Sequence, residues 1–237
     1  MNVLSLQTQS QLLSQFIKDP NIIGVMLFGS QTSGKTDAFS DIDLYVLTLR
    51  AGRYTRLGFH LDTVLVDVLV DSLDKAKKYL RADRGAIRRP TSLMLANGKI
   101  LFARTKNLAQ LQRTAQENLK IKTLSKQSDF LMHAYSLEDF LTDLQRDAAK
   151  NDVLRFNLDS ALFINNAIEF VLRKHGSYLR QTRETLEALT KYDSLFVKII
   201  KQMSSAGSLQ KRVLLAQKLR THLYKHYECD LPDAWKI

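Results

Sequence analysis

Asp41-Ile42-Asp43 places two carboxylates one residue apart at the head of the apolar run from Ile42 to Leu49. Ten residues separate Asp41 from the pair Gly29-Ser30, which follows the apolar run from Ile22 to Phe28. If both runs are strands, successive side chains alternate between faces, so Asp41 and Asp43 share one face and Ile42 takes the other. Two carboxylates on one face suit a divalent cation. Magnesium takes oxygen ligands and combines a few carboxylates with water and substrate phosphates. Gly29 lets the backbone approach a phosphate with no side chain in the way, and Ser30 offers a hydroxyl and an N–H beside it. Phosphoryl transfer asks a protein mainly for placed phosphates, bound metal and an acceptor oriented for in-line attack. Each part has a candidate here.

A third carboxylate belongs on a neighbouring strand, and DTVLVDVLVDS contains three. Asp67 is the leading candidate, because it alone interrupts the apolar run from Val64 to Val70. An isolated carboxylate among valines and leucines is unfavourable unless a metal or cation compensates it. Asp62 reads as the start of that strand and is the alternative; Asp71 reads as the turn before Ser72.

The elements that must hold these groups change character along the chain. Strands are expected over 22–28, 42–49, 64–70 and 99–103, each a β-favouring run bounded by turn formers. Helices are expected before Pro20 and after Ser72, whose side chain can cap SLDKAKKYL. Seven of the nine glycines precede residue 105, and from about Leu108 helical periodicity takes over, over 107–122, 127–150, 153–174, 182–203 and 208–227. The spacing divides the chain into an α/β domain over 1–105 and an all-α bundle over 106–237. In the third of those helices Val153, Leu154, Leu158, Ala161, Leu162, Ile168, Val171 and Leu172 are expected to form the buried face. Phe130, Tyr135, Phe140, Phe156, Phe163 and Phe170 recur at helical intervals and read as bundle core.

Composition narrows the function classes. Charged residues at 25% and hydrophobic ones at 45% are ordinary globular usage, which sets aside disordered and low-complexity chains. The lone Cys229 forms no internal disulfide. The N-terminus has no basic region followed by an apolar stretch, and no run approaches a membrane span, so a cytoplasmic protein without a membrane partner is expected. Net charge is +11, with 14 basic and 9 acidic residues through Arg104 and 21 and 15 thereafter. That field attracts phosphate-rich ligands, but its even spread disfavours a dedicated nucleic-acid-binding arm.

The full pattern, Gly29-Ser30, Gly34, Ser40-Asp41-Ile42-Asp43-Leu44 and a later Asp67, resembles the DNA polymerase beta-like nucleotidyltransferase superfamily over residues 20 to 72. With a helical half following, the chain is similar to bacterial aminoglycoside and lincosamide nucleotidyltransferases, including the kanamycin nucleotidyltransferase type. The resemblance implies an N-terminal domain with a mixed β-sheet followed by a helical bundle. It implies two Mg2+ ions, with Mn2+ as an alternative, held by Asp41 and Asp43, with Asp67 completing the site near the acceptor and Gly29 and Ser30 on the triphosphate. The expected reaction moves a nucleoside monophosphate, AMP by preference, from an NTP such as ATP to a hydroxyl of a small molecule, an antibiotic being one version, with pyrophosphate leaving. Protein AMPylation of the antitoxin type, RNA-terminal transfer and non-catalytic nucleotide binding are the alternatives. Gln31 stands where many small relatives carry Arg, and Lys35 is the nearest replacement for that charge.

In such enzymes a carboxylate of the helical half can serve as general base, and Glu169 is the candidate here. Asn165, Glu169 and Arg173 follow at i, i+4 spacing as a polar stripe. A plain Glu169–Arg173 surface pair explains the same spacing. The acceptor is expected between the two halves. His222 and His226, in RTHLYKHY, read as a basic helix end.

Overall fold

A computed structural model describes residues 6–33, 41–52, 54–228 and 231. The chain divides into two compact units, Met1–Ile121 and Lys122–Ile237.

The first unit is built on five strands: β1 (Ile22–Phe28), β2 (Ile42–Thr48), β3 (Arg56–Leu61), β4 (Val64–Ser72) and β5 (Lys99–Ala103), in the order β3-β4-β2-β1-β5. The pairing β2·β4 is parallel; β1·β2, β1·β5 and β3·β4 are antiparallel. The sheet is therefore mixed. Alternation along the strands feeds two cores. Ile42, Leu44, Val46, Val66 and Val68 join Leu12 of helix α1 (Leu6–Ser14) on one face. On the other, Met26, Tyr45 and Leu47 meet helices α3 (Leu73–Asp83), α4 (Pro90–Asn97) and α5 (Asn107–Lys120) through Leu80, Leu95 and Leu108. The short α2 (Ser30–Ser33) follows β1.

Two elements of this unit escaped the sequence reading. β3 is a half-exposed edge strand, RLGFHL, whose apolar residues Leu57, Phe59 and Leu61 alternate but are interrupted on the other positions by Arg, Gly and His. It turns into β4 at Asp62, exposed and left-handed at φ 54°. Asp62 is thus at a hairpin tip and not on the strand. Helix α4 begins at Pro90, a residue preorganised for a first helical turn. Ser72 caps α3 as expected, its side chain accepting from the Lys75 N–H at 3.3 Å.

The two compact units divide at 121/122, further along the chain than the boundary expected between 105 and 106. Leu108, Leu111 and Ala115 of α5 are buried against the sheet and α3, so this helix belongs to the α/β unit despite its helical sequence pattern. Gly24 permits the approach: a Cβ there would lie 2.8 Å from Leu108 Cδ2. The buried guanidinium of Arg89 donates to the carbonyls of Asn118 and Ile121 at 2.6 and 2.7 Å, satisfying the end of α5.

The second unit holds α6 (Gln127–Lys150), α7 (Val153–Lys174), α8 (Thr182–Tyr192), α9 (Ser194–Ser205) and α10 (Leu209–Tyr227). α6 packs against α7 and α10, and α9 against α10. The expected helix over 182–203 is two helices, because Asp193 leaves helical geometry at φ −155° and its carboxylate accepts the Phe196 N–H at 2.9 Å. Such a side-chain cap starts a new helix. No helix among the described residues is long and apolar enough to cross a membrane.

The buried face of α7 also differs from expectation. Val153, Leu154, Leu158 and Leu162 are exposed by 52, 71, 61 and 49%, whereas Phe156, Ser160, Phe163, Ala167, Phe170, Val171 and Leu172 are buried. The bulky phenylalanines claim the core at i, i+7, i+14, which turns the first leucines outward. Tyr135, expected in the core, is 42% exposed on α6. Phe163→Ala should therefore cost about 3–5 kcal/mol in urea denaturation, while Leu158→Ala should cost about 0.5 kcal/mol or less. Equal losses would overturn this assignment of faces.

Candidate active site

β2 and β4 run side by side in parallel, and their register pairs Asp43 with Asp67. Both carboxylates lie on the face covered by α3, α4 and α5, two positions before Tyr45 and Leu69 respectively. Asp41 immediately precedes β2 and is partly exposed. β1 runs antiparallel to β2 with Phe28 opposite Asp43, so the turn at Gly29 falls beside the same carboxylate. Gly29 is left-handed at φ 75°, and a Cβ on it would sit 2.1 Å from Asp43 Oδ2. The glycine therefore provides both the turn and the space in which Asp43 stands. Ser30 follows as the first residue of α2.

Burial, followed by the negative charges of Asp41 and then Asp67, pushes the Asp43 carboxyl from 3.8 up to about 6. Arg56 opposes this shift. Asp67 behaves oppositely. The hydrogen bond from Arg56 holds its carboxyl below the usual carboxylate value, although burial acts the other way. The guanidinium is bidentate: Nε donates to Oδ1 at 2.8 Å and Nη2 to Oδ2 at 2.5 Å. Arg56 lies on β3, where Gly58 is opposite Asp67, and sequence reasoning missed it together with the strand. The alternation of Leu57, Phe59 and Leu61 was the available signal.

A divalent metal fits the donors more readily than the distances. Asp41 and Asp43 are hard oxygen donors, and Asp43 is a carboxyl whose ionisation is opposed by its neighbours and would be favoured by a cation. Among the described residues, however, no three Asp, Glu, His or Cys side chains form a group that could enclose one ion as they stand. Asp67 contributes to this, since its two oxygens are turned onto Arg56. Asp41 and Asp43 are the carboxylates whose chemistry fits a divalent cation, while both oxygens of Asp67 are held by Arg56.

The remaining sequence candidates are distributed elsewhere. Asp62 is exposed at the β3–β4 turn, and Asp71 pairs with Lys75 at 2.9 Å. Gly34, Lys35 and Ser40 lie outside the described residues. Glu169 is half-buried on α7 of the helical unit. Arg173 of its expected stripe lies 3.8 Å from Asp129, and the neighbouring Asn166 donates to the His133 carbonyl at 2.9 Å, both within that unit.

Residues 10–83 match a family model described as Polymerase beta, Nucleotidyltransferase. In fold, the chain is similar to the crystal structure of a nucleotidyltransferase-like protein from Exiguobacterium sibiricum 255-15, with a TM-score of 0.55 and 18% identity over 93% of this chain and 74% of that one. No curated protein matches the sequence.

Proposed function

We propose that the chain, whose residues 10–83 match the Polymerase beta, Nucleotidyltransferase family model, moves a nucleoside monophosphate from an NTP, AMP from ATP by preference, to a hydroxyl of a small molecule. The observation that carries this reading is the register of Asp43 beside Asp67, with Gly29 leaving room for the Asp43 carboxylate. Asp41 and Asp43 are the residues to hold Mg2+, with Mn2+ as the alternative. The metal would supply charge neutralisation on the phosphates. Gly29 and Ser30 place the triphosphate: the glycine presents backbone without a side chain, and the serine adds a hydroxyl beside it. The acceptor oxygen forms a bond to the α-phosphorus as the α–β bridging bond breaks, and pyrophosphate takes the electron pair. The acceptor's proton needs a base, and Asp67 and Glu169 are the two carboxylates proposed for it.

Arg56 gives the site a built-in counter-charge. While it forks onto Asp67, that carboxylate stays ionised beside Asp43. Asp67→Asn is expected to lower kcat by roughly two to three orders of magnitude, whereas Asp62→Asn, at the exposed hairpin tip, leaves it unchanged. The reverse ranking would remove Asp67 from the site. Glu169→Gln should lower kcat at unchanged KM for NTP if Glu169 is the base.

The deciding experiment supplies purified protein with each α-labelled NTP and magnesium, then offers small hydroxylated molecules, lysate protein and RNA in separate reactions. Label on a small molecule with stoichiometric pyrophosphate is expected. Label confined to protein or RNA would move the acceptor to that class, and none in any reaction would overturn the catalytic reading.

A further inference from the structure

Helices α3 and α5 pack against one another on the sheet, and their sequences give the space between them an apolar floor with a charged edge. Along α3, Leu73 and Leu80 recur at helical spacing, and Lys77, Arg81 and Arg84 follow beside them at i, i+4 and i+7. Along α5, Leu111, Thr114 and Asn118 share the facing side. A cavity of about 330 Å³ lies between the two helices, floored by Leu73, Leu80 and Leu111 and edged by Lys77, Arg81 and Arg84. Thr114 and Asn118 close it from α5.

The walls are fixed by the core of the first unit. Leu80 and Leu111 are 2 and 4% exposed, and both pack into the cluster that holds the sheet to its helices. Asn118 is 3% exposed; its amide donates to the Leu80 carbonyl at 2.8 Å and to Ser92 Oγ at 3.2 Å, tying α5 to α3 and α4. A lining held in this way needs little ordering when a ligand arrives.

The acids near this edge have other roles. Asp71 pairs with Lys75 at 2.9 Å and Glu117 with Lys120 at 2.7 Å, while the buried Asp83 accepts the Ser92 N–H at 2.6 Å. Asp74 stands in the first turn of α3, where the helix dipole favours a negative charge. Lys77, Arg81 and Arg84 thus present fixed positive charge beside an apolar floor. The size of the cavity selects the ligand. Its 330 Å³ has room for roughly ten water-sized groups, which suits a short alkyl chain or a single ring system; a docked helix is about 10 Å across.

We propose that the cavity between α3 and α5 binds a small amphipathic anion, with its apolar body on Leu73, Leu80 and Leu111 and its carboxylate or phosphate on Lys77, Arg81 and Arg84. Burial of the apolar body supplies affinity, and the guanidinium forks orient the anionic head. This site stands apart from the nucleotide site and does not depend on it. Leu73 follows Ser72, which pairs with Thr48 at the far end of β2, five residues beyond Asp43 and roughly 17 Å along the strand.

The test follows the backbone amide signals of the full-length chain by NMR, without divalent metal, as octanoate, octyl phosphate, octanol or inorganic phosphate is added below any micelle concentration. Saturable shifts at Leu80, Arg81, Leu111 and Thr114 are expected with octanoate and octyl phosphate, with Gly29 and Asp43 unmoved. Octanol should bind at least about tenfold more weakly, and inorganic phosphate should leave these signals in place. Tighter octanoate would identify a carboxylate ligand, and tighter octyl phosphate a phosphate monoester. Arg81→Gln should weaken binding of either anion by about tenfold with Tm unchanged, and Thr114→Trp, whose side chain fills the cavity, should abolish it. Lys78→Gln, on the same helix but outside the cavity, should bind as the wild type does. Octanol binding as tightly as the anions, binding unchanged in both Arg81→Gln and Thr114→Trp, an equal loss in Lys78→Gln and Arg81→Gln, or no saturable shift at these amides would overturn the proposal.

Discussion

Asp43→Asn is expected to abolish nucleotide transfer, by on the order of 10³-fold in kcat or more, and yet to stabilise the metal-free protein. The two effects have one origin. Folding places Asp43 beside Asp41 and Asp67 in a half-buried position and raises its carboxyl from 3.8 to about 6. Between those values the folded chain binds more protons at this site than the unfolded chain does. Stability contributed by Asp43 therefore falls as pH rises from about 4 to about 6, and its ionised form is a liability at neutral pH. Asparagine has no charge to repel. Its melting temperature should exceed that of the wild type above about pH 6, and this pH-dependent loss should disappear. Added magnesium with a non-hydrolysable NTP should raise the wild-type melting temperature through preferential binding to the folded state. The same addition should have little effect on the variant. Scanning calorimetry across pH, with and without metal, measures all of this. A variant that retains turnover would show that Asp43 is no ligand, and one that melts below the wild type at neutral pH would show that its ionised form is no liability.

Gly29→Ala should damage both the fold and the site. The added methyl would be placed 2.1 Å from Asp43 Oδ2 and 3.0 Å from its Cγ, so the carboxylate has to move. The backbone at φ 75° adds its own penalty, because a Cβ is unfavourable in the left-handed region. Together these should cost roughly 1–3 kcal/mol. Activity should fall further than stability accounts for, since the displaced group is the candidate metal ligand. Gly207→Ala is the control: a Cβ there meets nothing within 4 Å. Its stability should change by about 0.5 kcal/mol or less, with normal activity. Wild-type turnover in folded Gly29→Ala would sever the link between this turn and the chemistry.

Much of the catalytic unit is legible because local chemistry and global packing agree there. The runs at Ile22–Phe28 and Lys99–Ala103 are strands over those same residues, and β2 and β4 differ from expectation only at their ends. Asp67 stands out in a strand of valines and leucines because a lone charge in such a run needs a compensating cation, which Arg56 supplies. Ser72 reads correctly as a cap because a cap depends on its own few residues.

The misreadings have a common cause in choices among equally plausible local patterns. Leu154, Leu158 and Leu162 repeat as regularly as Phe156, Phe163 and Phe170, and only packing against the neighbouring helices decides that the phenylalanines turn inward. Helix α5 has the periodicity of the helical half, but its apolar face completes the core of the sheet. The continuous pattern over 182–203 conceals the break at Asp193, whose capping bond lies within three residues but competes with helix continuation.

By itself, the amino-acid sequence singled out the groups proposed here for phosphoryl transfer, since Gly29-Ser30, Asp41-x-Asp43 and Asp67 stand out by residue type, strand alternation and the cost of burying charge. Tertiary structure alone decided which charges answer one another. Arg56 reaches Asp67 from an edge strand, and Asp193 reaches His222 from 29 residues away. Such partnerships arise when strands pair and helices pack, because separation along the chain sets no fixed distance until long-range contacts have formed.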